Sequence, residues 1–103
     1  FAEKILALDQ LPEVFIAGSD RFAFRAIDAM QNKGIRVPED IAVAGFGNTE
    51  IGQFMTPQLT TIDSNPALLV EKALSLLFRQ IEKDEKLCEH EMVAPLLIRR
   101  KSL

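Results

Sequence analysis

The sequence predicts an α/β fold that is built on parallel β-strands. Two short runs, 14–17 and 41–46, are apolar almost throughout, which is typical of strands that are covered on both faces. Between them, residues 20–33 repeat apolar side chains at helical spacing. A strand, a helix and a second strand within about 35 residues predict a βαβ unit, in which the two strands run parallel.

Composition limits the classes of protein to consider. The chain has 103 residues, of which 48% are hydrophobic and 26% charged, values that fit one folded domain and exclude a disordered segment. The net charge of −3 argues against a nucleic-acid-binding module, and no apolar run reaches the roughly 18 residues of a membrane span, so we expect no membrane partner. Cys88 is the only cysteine, which excludes an internal disulfide. The chain opens at Phe1, and we expect it to be a piece of a longer protein.

The first half of the chain carries the βαβ unit. Residues 1–10 repeat apolar side chains at helical spacing and indicate the end of a preceding helix, with Phe1, Ile5 and Leu8 on its stripe. The helix over 20–33 is expected to have Asp20 as its N-cap or first-turn acid, and Gly34 to end it in a left-handed turn. Its core-facing stripe consists of Ala23, Ala26, Ile27 and Met30.

The second half is predicted to alternate between loop, helix and strand. Residues 47–64 show no clear period and are expected to form a loop with a short extended piece at 59–63. Asn65 and Pro66 are typical of a helix start, and a broad apolar stripe continues that helix to about residue 82. A final strand over 92–98 is expected at a sheet edge, because Pro95 cannot donate a ladder hydrogen bond.

Two polar loops are the candidate site for a small molecule. In open parallel sheets, ligands bind beyond the carboxyl ends of the strands, which are followed here by the loops 18–20 and 47–50. The alternative is ordinary turn chemistry, in which Asp20 serves first as a helix cap. The candidate ligand-binding residues are Ser19, Asp20, Gly47, Asn48 and Glu50.

Catalytic and cofactor templates fit this sequence poorly, and we expect no enzyme activity, cofactor or metal. His90 is the sole histidine, and together with Cys88 it gives too few ligands for a metal and only a weak candidate dyad. No phosphate-binding glycine motif is present. The basic residues 99–101 are too few for a nucleic-acid footprint and are expected to form a solvated chain end.

Four segments, in order, resemble the lactose/galactose repressor (LacI/GalR) family of bacterial transcription regulators. Residues 36–46, RVPEDIAVAGF, are similar to the RVPEDIxVxGFD signature of that family. Residues 14–20 resemble its strand ending in an Asn-Asp pair, and residues 56–62 its P-x-LTT-(I/V) segment. Residues 96–102 resemble its closing strand, with the pattern L-I-x-R-x-S. Together, these matches cover nearly the whole chain.

The resemblance implies part of a two-lobed, type I periplasmic-binding-protein-like effector domain. Residues 1–58 and 88–101 would belong to the C-terminal lobe, and the helix over 65–82 to the other lobe after a crossover near Thr60 and Thr61. Operator DNA would be bound by an N-terminal helix-turn-helix that is not among these residues. The implied protein is a cytoplasmic repressor; a sugar-binding protein of a periplasmic transport system is the alternative. The orphaned stripe of the 65–82 helix favours a dimer or an exchanged arrangement.

The resemblance also implies functional positions, and some of them depart from the family pattern. The family's effector contacts fall at Ser19, where it usually has Asn, and at Gly47, where it usually has Asp. Losing that carboxylate favours an acidic effector, such as a sugar acid or a sugar phosphate, over a neutral sugar; otherwise Asn48 or Glu50 would contact its hydroxyls. Homodimer contacts are implied for Phe24, Arg25, Phe54 and Met55, although Phe24 could instead pack on its own sheet and Arg25 could simply face solvent.

Overall fold

A computed structural model describes Lys4, Ala7 and residues 10–83 and 89–103. The predicted helix end in residues 1–10 rests on Phe1, Ile5 and Leu8, which lie outside the described residues, as does Cys88. The elements follow in the order β1 (Val14–Ile16), α1 (Asp20–Gln31), β2 (Ala42–Phe46), α2 (Ile51–Phe54), β3 (Thr60–Asp63), α3 (Pro66–Lys83) and β4 (Leu96–Ile98).

The four strands form one sheet in the order β1-β2-β3-β4. β1 pairs in parallel with β2, and β2 in parallel with β3, which confirms the βαβ prediction. β4 pairs antiparallel with β3 and lies at the edge, as Pro95 predicts. This sheet is the α/β architecture that the sequence predicts.

The core lies between α1 and one face of the sheet. The predicted stripe of α1 is buried, and Ile27 and Met30 belong to the same apolar cluster as Val43 and Leu59. Side chains alternate between the two faces of a strand, so the neighbours of the core-facing residues point to the opposite face. There Ile16 and Leu97 are exposed.

Several element boundaries differ from the predicted ones. α1 ends at Gln31 rather than at residue 33, because the chain turns through Gly34 at φ +76°, and Ile35 N donates to Met30 O. The final strand covers three residues rather than seven. The predicted extended piece at 59–63 is the paired strand β3, whereas the four-residue helix α2 was not predicted within the loop region 47–64.

The C-terminal tail packs against the sheet through Arg100 and Ser102, while Arg99 and Lys101 are exposed as predicted. Ser102 is fully buried: its carbonyl accepts from Val43 N at 2.7 Å, its hydroxyl donates to Val43 O at 2.6 Å, and that hydroxyl accepts from Thr60 N at 2.8 Å. Arg100 folds back onto β3, where its N–H donates to Thr60 Oγ1 at 2.8 Å. The expectation of a solvated chain end was therefore wrong for Arg100.

Helix α3 matches the predicted helix but leaves its apolar stripe open. Asn65 Oδ1 accepts from Leu68 N at 3.3 Å, which confirms the predicted cap. Ion pairs of Lys72 and Arg79 hold residues 89–91 along the helix. Exposed apolar side chains of α3 are Leu69, Val70, Leu74, Leu77, Phe78 and Ile81. Thr60 and Thr61 are paired in β3, and the chain leaves the sheet after Asp63 to enter α3.

Candidate functional site

The two candidate loops lie at the same end of the sheet, beyond the carboxyl ends of β1 and β2. Val14 pairs with Ala42 and Ile16 with Ala44, so β1 and β2 are neighbours and end side by side. The loops 18–19 and 47–50 continue from those ends. We call these loops, together with the end of β3, the rim.

Of the two roles expected of Asp20 at the start of α1, the structure shows the first-turn acid, while Ser19 is the cap. Ser19 is the N-cap: its backbone is extended, and its hydroxyl accepts from Phe22 N at 3.4 Å. Asp20 is the first helical residue, with its carboxylate directed away from the helix end and into the rim. The prediction of Asp20 as cap is replaced by a first-turn position, which the sequence left open.

The carboxylate of Asp20 is 1% exposed and is bound on both oxygens. Oδ2 accepts from Thr49 N at 2.6 Å and from Thr49 Oγ1 at 3.0 Å, and Oδ1 accepts from Thr61 Oγ1 at 2.5 Å. Gly45 makes room for it, since a Cβ at that position would overlap Asp20 Oδ1. Contact between Asp20 and a ligand stays a prediction, and the structure gives its carboxylate a task inside the chain.

Gly47 and Asn48 carry the β2–α2 loop through left-handed backbone. Their φ angles are +123° and +48°, a region that glycine and, to a lesser extent, asparagine adopt. The Asn48 amide bridges two charged groups: Nδ2 donates to Asp63 Oδ2 at 2.9 Å, and Oδ1 accepts from Arg100 Nη2 at 2.8 Å. The hydrogen bond from Asn48, followed by the one from Asn65 N, lowers the pKa of Asp63.

Glu50 is the predicted site residue with the most accessible side chain. It is exposed, lies just before α2 and makes no side-chain capping bond. Gly47 is also exposed, whereas Ser19 and Asn48 are half-buried. Beyond the ends of the strands, the rim therefore presents backbone, the hydroxyl-bearing residues Ser19 and Thr49, and the carboxylate of Glu50.

Residues that organise the rim were missed by sequence reasoning. Thr49 and Thr61 bind Asp20, and Asp63 and Arg100 bind Asn48. Side chains alternate along β3, so Thr61 and Asp63 lie on the same face. This placement could have been predicted from the sequence if residues 59–63 had been assigned to a paired strand. No local signal points to Arg100, whose partner Asn48 is 52 residues away.

The predicted dimer residues lie on α1 (Phe24 and Arg25), at the last position of α2 (Phe54) and directly after it (Met55). Phe24 is 43% exposed and Phe54 is 84% exposed, while Met55 is partly buried against the core. Arg25 is exposed on α1, as expected for either of its two alternatives. Gln31 Nε2 donates to Thr56 O at 2.9 Å and ties the end of α1 to the segment after α2.

Other chemistry finds no support in the part of the chain that the structure describes. There, no three His, Cys, Asp or Glu side chains are grouped so that they could hold a metal ion. The weak Cys88–His90 candidate involves a cysteine outside the described residues. No helix within residues 10–83 and 89–103 is long and apolar enough to span a membrane.

Comparison with known proteins decides the family. The profile of the periplasmic binding protein-like domain matches residues 2–103. The chain belongs to that family. This domain is 43% identical over 98 residues to the HTH-type transcriptional repressor PurR of Pasteurella multocida (strain Pm70), covering 94% of the chain and 29% of that repressor.

Solved structures agree with this assignment. A LacI family transcriptional regulator from Silicibacter pomeroyi superimposes on this domain with a TM-score of 0.84 at 30% identity, covering 99% of the chain and 36% of that protein. A LacI family transcriptional regulator from Enterococcus faecium, solved with bound ribose, gives a TM-score of 0.83 at 25% identity, covering 98% and 37%. The LacI/GalR resemblance is confirmed, and the domain spans about a third of the length of these relatives.

Proposed function

We propose that this chain is the effector-sensing and dimerisation portion of a bacterial LacI/GalR-type repressor, acting in the cytoplasm and catalysing no reaction. The observation that carries the proposal is the rim, where two neighbouring parallel strands deliver Ser19 and Gly47 to one edge of the sheet. The names of the relatives, which are transcriptional regulators, favour this role over the alternative of a periplasmic sugar-binding protein for transport.

The proposed mechanism is differential binding. An effector that binds one arrangement of the two lobes more tightly than the other shifts the population of DNA-competent dimers. The size of that shift is limited by the difference between the two affinities. In the complete protein, a helix-turn-helix outside these residues would bind the operator. The test is operator binding by the complete protein with and without effector; effector binding that leaves operator affinity unchanged would contradict the mechanism.

The proposed effector is a sugar, a sugar acid or a sugar phosphate. Gly47 offers the ligand only backbone, and the Asn48 amide is occupied by Asp63 and Arg100. The hydroxyl-binding carboxylate usual at position 47 is missing, which favours an acidic ligand. Calorimetric titration of the complete protein with D-gluconate and with D-ribose tests the charge preference, and tighter binding of the neutral sugar would contradict it.

The proposed dimer surface includes Phe24, Arg25, Phe54 and Met55. Exposed aromatic side chains are typical anchors of protein interfaces, and Phe24 and Phe54 are both exposed. We expect Phe24→Glu to convert the complete protein from dimer to monomer in size-exclusion chromatography with light scattering. Phe22→Glu is the matched control, because Phe22 is exposed on the opposite flank of α1, next to Phe15 and Ile16.

The proposed lobe division assigns 1–58 and 88–101 to one lobe and the helix over 65–82 to the other. The open apolar stripe of α3 supports a partner outside this chain. We expect the amides of α3 to exchange hydrogen more slowly in the complete protein than in the chain of 103 residues. Equal exchange in both would contradict the division.

A further inference from the structure

Three consecutive backbone N–H groups of the β2–α2 loop are held by other elements. Gly47 N donates to Ile62 O at 2.8 Å, and Asn48 N donates to Thr61 Oγ1 at 3.2 Å. Thr49 N donates to Asp20 Oδ2 at 2.6 Å. Two of these three donors end on β3 and the third on the start of α1, so the path of the loop is set from outside the loop.

Asp20 connects these contacts into one network. Its Oδ1 accepts from the same Thr61 hydroxyl that receives Asn48 N, and its Oδ2 binds Thr49 twice. A carboxylate with 1% exposure cannot exchange these donors for water without moving. Hydrogen bonds to a charged acceptor are also stronger and more directional than neutral ones. The Asp20 carboxylate therefore holds the loop 47–50 against the start of α1, where the loop 18–19 ends.

We propose that Asp20 is a positioning residue of the effector site, in place of the ligand contact predicted from the sequence: it fixes the loop 47–49 next to Ser19 without touching the effector. The proposal rests on the proposed function, because it takes the rim to be the effector site. The proposal predicts that Thr61 and Thr49 are coupled. Thr61 binds one oxygen of the Asp20 carboxylate and Thr49 binds the other, so a change at Thr61 should alter the hydrogen bonds of Thr49.

Hydrogen exchange of the complete protein without any ligand tests the coupling. Thr61→Val removes the hydroxyl, and with it both the Asp20 contact and the acceptor of Asn48 N, but leaves both Thr49 bonds to Asp20 in place. We expect the Thr49 amide to exchange about tenfold faster or more in Thr61→Val and in Asp20→Asn. Thr61→Ser, which keeps the hydroxyl, should stay within about twofold of the wild type.

Two exchange results would overturn the proposal. One is an unchanged Thr49 amide in Thr61→Val, which would mean that the two contacts are independent. The other is an equal acceleration at Thr49 and at the core amide of Val43, because a purely structural role would lower the protection of the whole domain. Val43 should exchange as in the wild type if Asp20 acts locally.

Ligand titration separates this proposal from the proposed function. D-ribose, D-gluconate and inorganic phosphate are the probes, applied to the complete protein and to its Asp20→Asn and Thr61→Ser variants. For any probe that the wild type binds, Asp20→Asn should weaken binding about tenfold or more, and Thr61→Ser should not. Wild-type affinity in Asp20→Asn would overturn the positioning role. If the wild type binds none of the probes, the proposed effector class fails, and the exchange result still decides the coupling.

Discussion

Replacing Ser102 by alanine should destabilise the protein far more than its place near the chain end suggests. The hydroxyl accepts from Thr60 N and donates to Val43 O, and Ser102 has no exposed surface. Alanine would leave one buried N–H and one buried carbonyl without those partners. Each such group costs about 1–3 kcal/mol, and partial relaxation of the tail favours the lower end, so we expect a loss of about 2–3 kcal/mol in the free energy of unfolding.

Urea unfolding followed by circular dichroism measures this loss. The midpoint should fall without a change in the denaturant slope, since the surface exposed on unfolding stays the same. Ser75→Ala is the matched control, because Ser75 is exposed on α3 and its loss should change stability by no more than about 0.5 kcal/mol. If Ser102→Ala were as stable as this control, the hydrogen bonds by which Ser102 joins β2 to β3 could not contribute to stability as predicted.

Two further predictions concern close packing and pH. Gly45→Ala should cost about 1–3 kcal/mol in thermal unfolding, because its Cβ would overlap Asp20 Oδ1, whereas Gly18→Ala, with open space around it, should be neutral within about 0.5 kcal/mol; equal effects would contradict the packing. Arg36 lowers the pKa of Asp40 to about 2 through a side-chain hydrogen bond, then through its backbone N–H. Because that pKa is lowered in the folded state, the pair stabilises the protein above pH of about 4 and loses its effect as the pH falls towards 2. Arg36→Ala should return the NMR-measured pKa of Asp40 towards 3.8 and match the wild type in stability below pH 2; a pKa that stays near 2 would exclude Arg36 as the cause.

Local periodicity was enough to predict the central part of the fold. The apolar runs became β1 and β2, and the stripe of α1 became the core, because these signals depend on residues that are close in sequence. The turn at Gly34 also follows from local chemistry, since glycine adopts its φ of +76° without strain.

The parts that the sequence did not predict depend on distant contacts. Ser102 lies 59 residues from Val43, and Arg100 lies 52 residues from Asn48, so no window along the chain contains both partners. The piece 59–63 was predicted as extended but not as a paired strand, because its neighbour β2 is separated from it by α2. Position alone indicated the rim, whereas the hydrogen bonds of Asp20 depend on the assembled sheet.

Glycine at position 47, in place of the family's usual aspartate, affects the backbone of the loop as well as the side chain. Its φ of +123° is a conformation that an aspartate adopts only with strain, so a carboxylate at this position would require a different loop path. The path of this loop is fixed by Ile62, Thr61 and Asp20, each of which binds one backbone N–H of residues 47–49. The loss of the usual carboxylate and the shape of the loop are thus parts of one arrangement. In the proposed effector site, ligand preference should therefore follow from the backbone that Asp20 holds, as well as from the charge that Gly47 lacks.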